Sequence, residues 1–234
     1  MIKQSREGLI SRSEAYPFSS FNNMLPLITA PMYSVVNSSN KQEFIDEKIQ
    51  VCLPREDKVI ITDSYFPSVS LEFFQKSYLE SSFDILKGID ALNMSYFNIC
   101  IDTANGNNPE LLLAINSAKK RYKDKIVIMS GNVSSLDAFI SLAKSGCDYI
   151  RVGIGGGDSC NTTLQTGVGQ KNLEKLIHKC FTAREYDSKN ESMSKVRIVA
   201  DGISSYVDKL VQKKEGLDNG YAAINRLLYA GADL

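Results

Sequence analysis

Cys160 stands in a run rich in glycine and hydroxyls, Gly153-Ile-Gly-Gly-Gly-Asp-Ser-Cys160-Asn-Thr162, directly after the β-branched stretch Tyr149-Ile-Arg-Val152. A cysteine on such a turn presents an accessible thiol, and its thiolate attacks electrophilic carbon. The nearest charges act in opposite senses, Arg151 favouring the thiolate and Asp158 opposing it. The residues alone therefore leave two readings open, a catalytic nucleophile and a structural loop cysteine. Cys52, Cys100, Cys147 and Cys180 lie among apolar neighbours, where a thiol packs as a small hydrophobe. No CxxC pair occurs, so neither a disulfide framework nor a zinc site is expected. The single histidine, His178, falls in an amphipathic run with Leu173, Leu176 and Cys180, which does not favour a Cys-His pair.

Glycine turns after strands also bind dinucleotides, but Gly153, Gly155 and Asp158 fail the GxGxxG pattern at its third glycine. The following Asn161 to Gly169 reads as further loop rather than as a helix start, and there is no Walker motif. The 27 basic and 27 acidic side chains cancel, so no global field draws the chain to nucleic acid or to a membrane. Any anionic ligand must be held by a local site. Met1 to Glu7 lacks the apolar core of a secretion signal, and no apolar run reaches the ~18 residues of a membrane span, which sets the expectation of a cytoplasmic protein. With 234 residues, 43% hydrophobic and 23% charged, one globular domain over residues 1–234 is expected.

Short β-branched runs mark strands at Leu25 to Met32, Ile49 to Leu53, Lys58 to Thr62, Phe97 to Asp102, Ile126 to Ser130, Tyr149 to Gly153 and Val196 to Ala200. Amphipathic helices are expected at Pro109 to Tyr122 and at Ser135 to Lys144, the second capped by Ser134 or Ser135. Such alternation specifies a parallel sheet covered by helices, and by itself leaves an open sheet and a barrel both possible. Asp102, Asn132, Gly153 and Asp201 all fall just beyond strand C-terminal ends, the distribution by which a TIM (β/α)8 barrel gathers its site on one face. Gly220 to Ala230 reads as a helix and Gly231 to Leu234 as entry into an eighth strand, so the barrel is expected to be incomplete at strand eight. The polar segment Ala183 to Lys195 reads as an exposed loop insertion. No internal repeat beyond the strand-helix alternation is evident.

Four segments in order resemble the IMP dehydrogenase/GMP reductase family: Leu27-Ile-Thr-Ala-Pro-Met32, Ile99-Cys-Ile-Asp-Thr-Ala-Asn-Gly106, Ile128-Met-Ser-Gly-Asn-Val133 and Arg151-Val-Gly-Ile-Gly-Gly-Gly-Asp-Ser-Cys-Asn-Thr162. Val199-Ala-Asp-Gly202 is a shorter fifth. Within the family the second and third segments, with Thr166-Gly-Val-Gly169, are more similar to GMP reductase. The resemblance implies a cytoplasmic purine nucleotide oxidoreductase using NADP or NAD, which interconverts GMP and IMP or oxidises IMP through a covalent Cys160 adduct at C2 of the purine. It further implies that Thr162 activates water or ammonia, and that Asp102 and Thr103 bind the cofactor. Asn132, Arg151, Ser159, Asp201 and Gly202 would bind substrate, and backbone carbonyls of Gly155, Gly157 and Cys160 would hold a monovalent cation such as K+. A homotetramer is the implied assembly.

The chain departs from the family pattern at Asp158, where a phosphate-contacting Ser is usual, and at Ile203, where a glycine is usual. Gly156 replaces a proline and Asn161 a threonine. A carboxylate facing a phosphate dianion is unfavourable at short range, so a nucleoside or a differently modified nucleotide enters as a substrate class. The competing expectation is a catalytically inactive purine-binding or interaction subunit, or an incomplete gene product.

Overall fold

The structure is a computed structural model and describes residues 24–82, 84–154, 172–187, 191–202, 224 and 226–234. Six parallel strands form one sheet in chain order: β1 (Cys52–Arg55), β2 (Phe66–Val69), β3 (Phe97–Asp102), β4 (Ile126–Val133), β5 (Tyr149–Val152) and β6 (Arg197–Ala200). Each is hydrogen-bonded to the next, as right-handed strand-helix-strand crossovers produce. The helices are α1 (Lys41–Asp46), α2 (Leu71–Phe74, continued by a π turn at Gln75–Leu79), α3 (Ile85–Ala91), α4 (Pro109–Tyr122), α5 (Leu136–Lys144), α6 (Leu173–Tyr186) and α7 (Glu191–Lys195). Asn108 caps α4 by accepting from the Glu110 N–H, and Ser135, one of the two serines considered, caps α5 by accepting from Ala138.

Alternation along each strand separates two cores. Ile99, Ile101, Ile126, Ile128, Ile150, Val152 and Ile198 pack outward against the helices, with Leu111, Ile115, Phe139, Leu142 and Ile177 among their partners. The alternate positions Cys52, Phe66, Cys100, Met129 and Val199 meet Leu234 and Ile28 in a second cluster. Side chains from β1 and β6 join one cluster because the sheet curls round on itself, the geometry of a TIM-type barrel. Ile28 bridges Gln50 at the first edge, while at the last edge Leu234 donates to the Ile198 carbonyl and accepts from the Ala200 N–H, the pattern of a parallel ladder.

Three expectations are corrected. Lys58 to Thr62 forms no strand: it runs as a connector, with the Ile60 N–H donating to the Tyr78 hydroxyl and Val59 and Ile61 packed on the outer core. The strand lies instead at Phe66–Val69, masked in the sequence by Pro67, and Pro54 in β1 likewise accompanies a register shift between these two strands. Leu25 to Met32 contributes a single bridge rather than a strand. Finally, the described part of Ala183 to Lys195 is mostly helical rather than loop, because α6 runs to Tyr186 and α7 occupies Glu191–Lys195. Its polar letters hid two anchors, Met193, fully buried, and Arg184, paired with Asp233.

A repeated staple closes the lower ends of the strands. In Gly146-Cys147-Asp148, the Asp148 Oδ2 accepts from the Ile128 N–H and from Lys119 Nζ, both at 2.6 Å. In Gly231-Ala232-Asp233, the Asp233 Oδ2 accepts from the Ile198 N–H and from Arg184. Both glycines have positive φ, 98° and 113°, as the turn from a helix end into a strand requires. Among the described residues no helix is long and apolar enough to cross a membrane.

Candidate active site

Asp102, Asn132, Arg151 and Asp201 leave the C-terminal ends of β3, β4, β5 and β6, so the curl of the sheet brings them together. The Arg151 guanidinium lies across the barrel interior. It donates to Asp102 Oδ1 at 2.6 Å and to Asp201 Oδ2 at 2.8 Å. Asn132 Nδ2 donates to the same Asp201 oxygen at 2.6 Å and to the Gly153 carbonyl at 2.7 Å. Asn132 therefore ties the first residue of the Cys160 loop to the carboxylate cluster.

Backbone geometry enforces this closeness at two glycines. Gly131 (φ +135°) sits beside Arg151 on the neighbouring strand, and a Cβ there would lie 2.6 Å from the Arg151 carbonyl oxygen. At Gly153 (φ +124°) a Cβ would come within 2.2 Å of the Asp201 carbonyl oxygen. Only glycine combines that φ with that approach.

Burial disfavours charge on Arg151, yet Asp201, Cys100 and Asp102 outweigh it and hold its pKa above the ordinary guanidinium value. Burial likewise pushes Asp201 towards protonation, but Arg151 and the Asn132 hydrogen bond pull its carboxyl below the usual range. Both groups are thus ionised at neutral pH. Below them, Cys52 and Cys100 form a buried thiol pair beside Ser68, whose Oγ lies 3.3 Å from Cys52 Sγ. Burial and the hydrogen bond to Cys100 raise Cys52, while that same contact, helped by Arg151, lowers Cys100.

Of the expected site residues, the structure gathers Asp102, Asn132, Arg151 and Asp201, with Gly202 adjoining. Thr103 is occupied by the backbone: its N–H donates to the Gly131 carbonyl at 3.2 Å, its carbonyl accepts from the Asn132 N–H at 2.8 Å, and its Oγ1 accepts from the Asn105 N–H. Gly155, Gly157, Asp158, Ser159, Cys160, Thr162 and Ile203 lie outside the described residues. The four described cysteines are free and buried, as their apolar neighbours predict, and His178 is exposed on α6.

Arg55 is the residue that sequence reasoning missed. Its Nε donates to Asp102 Oδ2 and a terminal nitrogen donates to the Asp102 carbonyl, both at 2.8 Å. Asp102 thus faces two guanidinium groups, one on each oxygen. The signal was available: a charged residue at the C-terminal end of a strand is what singled out Asp102 and Asp201, but the expected strand Ile49 to Leu53 ends two residues short of Arg55.

Residues 84–213, more than half of the chain, match the model of the IMP dehydrogenase / GMP reductase domain family. The GMP reductase of Aliivibrio fischeri (strain MJ11) is 39% identical over 98 residues, covering 42% of this chain and 28% of that protein. The GMP reductase of Yersinia pestis (strain Pestoides F) is 40% identical over 97 residues, with coverage of 42% and 28%. The matched part thus spans little more than a quarter of these relatives. The fold is similar to that of an inosine 5′-monophosphate dehydrogenase from Legionella pneumophila, with a TM-score of 0.60 at 21% identity, over 90% of this chain and 56% of that one. With the parallel barrel sheet and the carboxylate cluster on its C-terminal face, the match over more than half its length establishes that this chain belongs to the IMP dehydrogenase/GMP reductase domain family.

Proposed function

We propose that the chain is a purine oxidoreductase of the GMP reductase type, with residues 1–234 acting as one barrel domain. The observation that carries this reading is the tether Asp201–Asn132–Gly153, which fixes the start of the Cys160 loop against two ionised groups. The site fits ribose-bearing ligands. Asp102 and Asp201 keep 21% and 31% of their side-chain surface open, and carboxylate oxygens are the natural acceptors for vicinal hydroxyls. Asp201 would hold the purine ribose and Asp102 the ribose next to the nicotinamide.

In this reading Cys160 adds as thiolate to C2 of GMP, and the C2 amine leaves as ammonia after protonation, with Thr162 assisting that proton transfer. The nicotinamide cofactor, NADPH or NADH, supplies when bound the hydride that replaces sulfur at C2. Cleavage of the C–S bond returns the thiolate and yields IMP. Arg151, its charge shared between Asp102 and Asp201, holds these two strand-end carboxylates in place beside the start of the loop.

The test is loss of absorbance at the reduced-nicotinamide band on mixing protein, NADPH and GMP, abolished by Cys160→Ala. Guanosine belongs in the same series, because Asp158 and Ile203 replace residues suited to phosphate. Those two substitutions also favour a second reading, a purine-binding subunit without turnover. It predicts a raised melting temperature with purine ligands and no cofactor oxidation. Oxidation by none of the purines, together with no thermal shift, would sink both readings.

A further inference from the structure

We propose that Tyr33 is an aromatic stacking platform for the base of a bound dinucleotide, a proposal that rests on the placement of a ribose at Asp102. Tyr33 is 66% exposed, among the most exposed of the large apolar side chains described. Loop aromatics in the open are usually mobile, but this one is held at both ends. At its base, the Val35 and Val36 N–H groups both donate to the Met32 carbonyl, and Val36 is fully buried against Val51 and Leu53 of the β1 segment. At its tip, the Tyr33 hydroxyl donates to the Arg55 carbonyl at 3.1 Å.

Arg55 is the residue whose guanidinium grips Asp102. The ring is therefore fixed on the same rim as the carboxylate, with two thirds of the residue left to solvent and the partly exposed Met32 and Val35 next to it in the chain. A face held in this way gives up little conformational freedom when a planar heteroaromatic ring lies on it. Bases stack on such faces with limited regard to their identity. A ligand with a ribose at Asp102 carries its base within reach of this rim. Arg55, its side chain half-exposed, links ring and carboxylate through its carbonyl on the Tyr33 hydroxyl and its guanidinium on Asp102.

The experiment measures dissociation constants of NADP+ and of GMP, each alone, by calorimetry for the wild type, Tyr33→Phe and Tyr33→Leu, with ligand-free melting temperatures as the folding control. Stacking predicts that Tyr33→Leu weakens NADP+ about tenfold while Tyr33→Phe stays within about threefold. GMP affinity should not move. Wild-type affinity for NADP+ in Tyr33→Leu overturns the platform and leaves the functional reading intact, as does weakening confined to GMP. No NADP+ binding by the wild type overturns both the platform and the reading beneath it.

Discussion

Replacing Arg151 by methionine removes the cation shared by two carboxylates while keeping most of the side-chain volume. Arg151 is 12% exposed, and breaking a buried ion pair by deleting one partner commonly costs ~3–5 kcal/mol. Here the lower end applies, about 3 kcal/mol, because Asp102 keeps Arg55, Asp201 keeps Asn132, and both carboxylates retain some solvent contact. The pH dependence is specific. In the wild type Asp201 is held below its ordinary range, so its contribution is present above the unfolded pKa of ~3.9 and is lost as pH falls through the folded value. In the variant burial acts without Arg151, and the carboxyl rises above that value. The variant's deficit is therefore full at pH 7 and shrinks by about 1 kcal/mol as pH falls towards ~4.5 and the carboxyl protonates. Urea unfolding of both proteins at pH 7 and pH 4.5 measures this directly. A deficit under 1 kcal/mol at pH 7, or one that grows on acidification, would refute the argument. Adding Asp201→Asn to the variant should restore part of the loss.

The two strand staples differ in burial, so Arg184→Ala, whose side chain and partner Asp233 are 11% and 15% exposed, should cost more than Lys119→Ala, at 23% and 34%: about 3 against about 1 kcal/mol by denaturation. Gly153→Ala should lower the melting temperature and abolish ligand-induced stabilisation, since its Cβ meets the Asp201 carbonyl at 2.2 Å; a variant that melts and binds like the wild type would show that the backbone relaxes freely there. Brief alkylation of the native protein should label Cys160 alone by mass spectrometry. Burial keeps Cys147 and Cys180 as thiols, the latter pushed up to about 12, and seals Cys52 and Cys100; equal labelling of any of these four would contradict the core as described.

The sequence by itself determined the strands with continuous β-branched runs. β3, β4, β5 and β6 fall where Ile99, Ile128, Ile150 and Ile198 place them, because a strand buried on both faces has no polar option in its outward row. Position just beyond a strand end was enough to select Asp102, Asn132, Gly153 and Asp201, whereas Arg151 entered through its place beside the Cys160 loop and the family likeness. The family likeness was legible as well, since glycine loops and strand-end carboxylates are local patterns.

What only the tertiary structure decided are relations between segments far apart in the chain. Phe66–Val69 carries a proline and is not among the expected strands, and it is a strand because its neighbours β1 and β3 supply the ladder. Arg184 looks like a solvated charge until Asp233, 49 residues later, is folded against it. Arg55 reads as loop until the barrel curls and its guanidinium reaches Asp102, 47 residues away. A charge gains a partner, and so a role, only when the sheet closes, because the Coulomb energy that decides it depends on distance in space and on burial, and neither is written in local sequence.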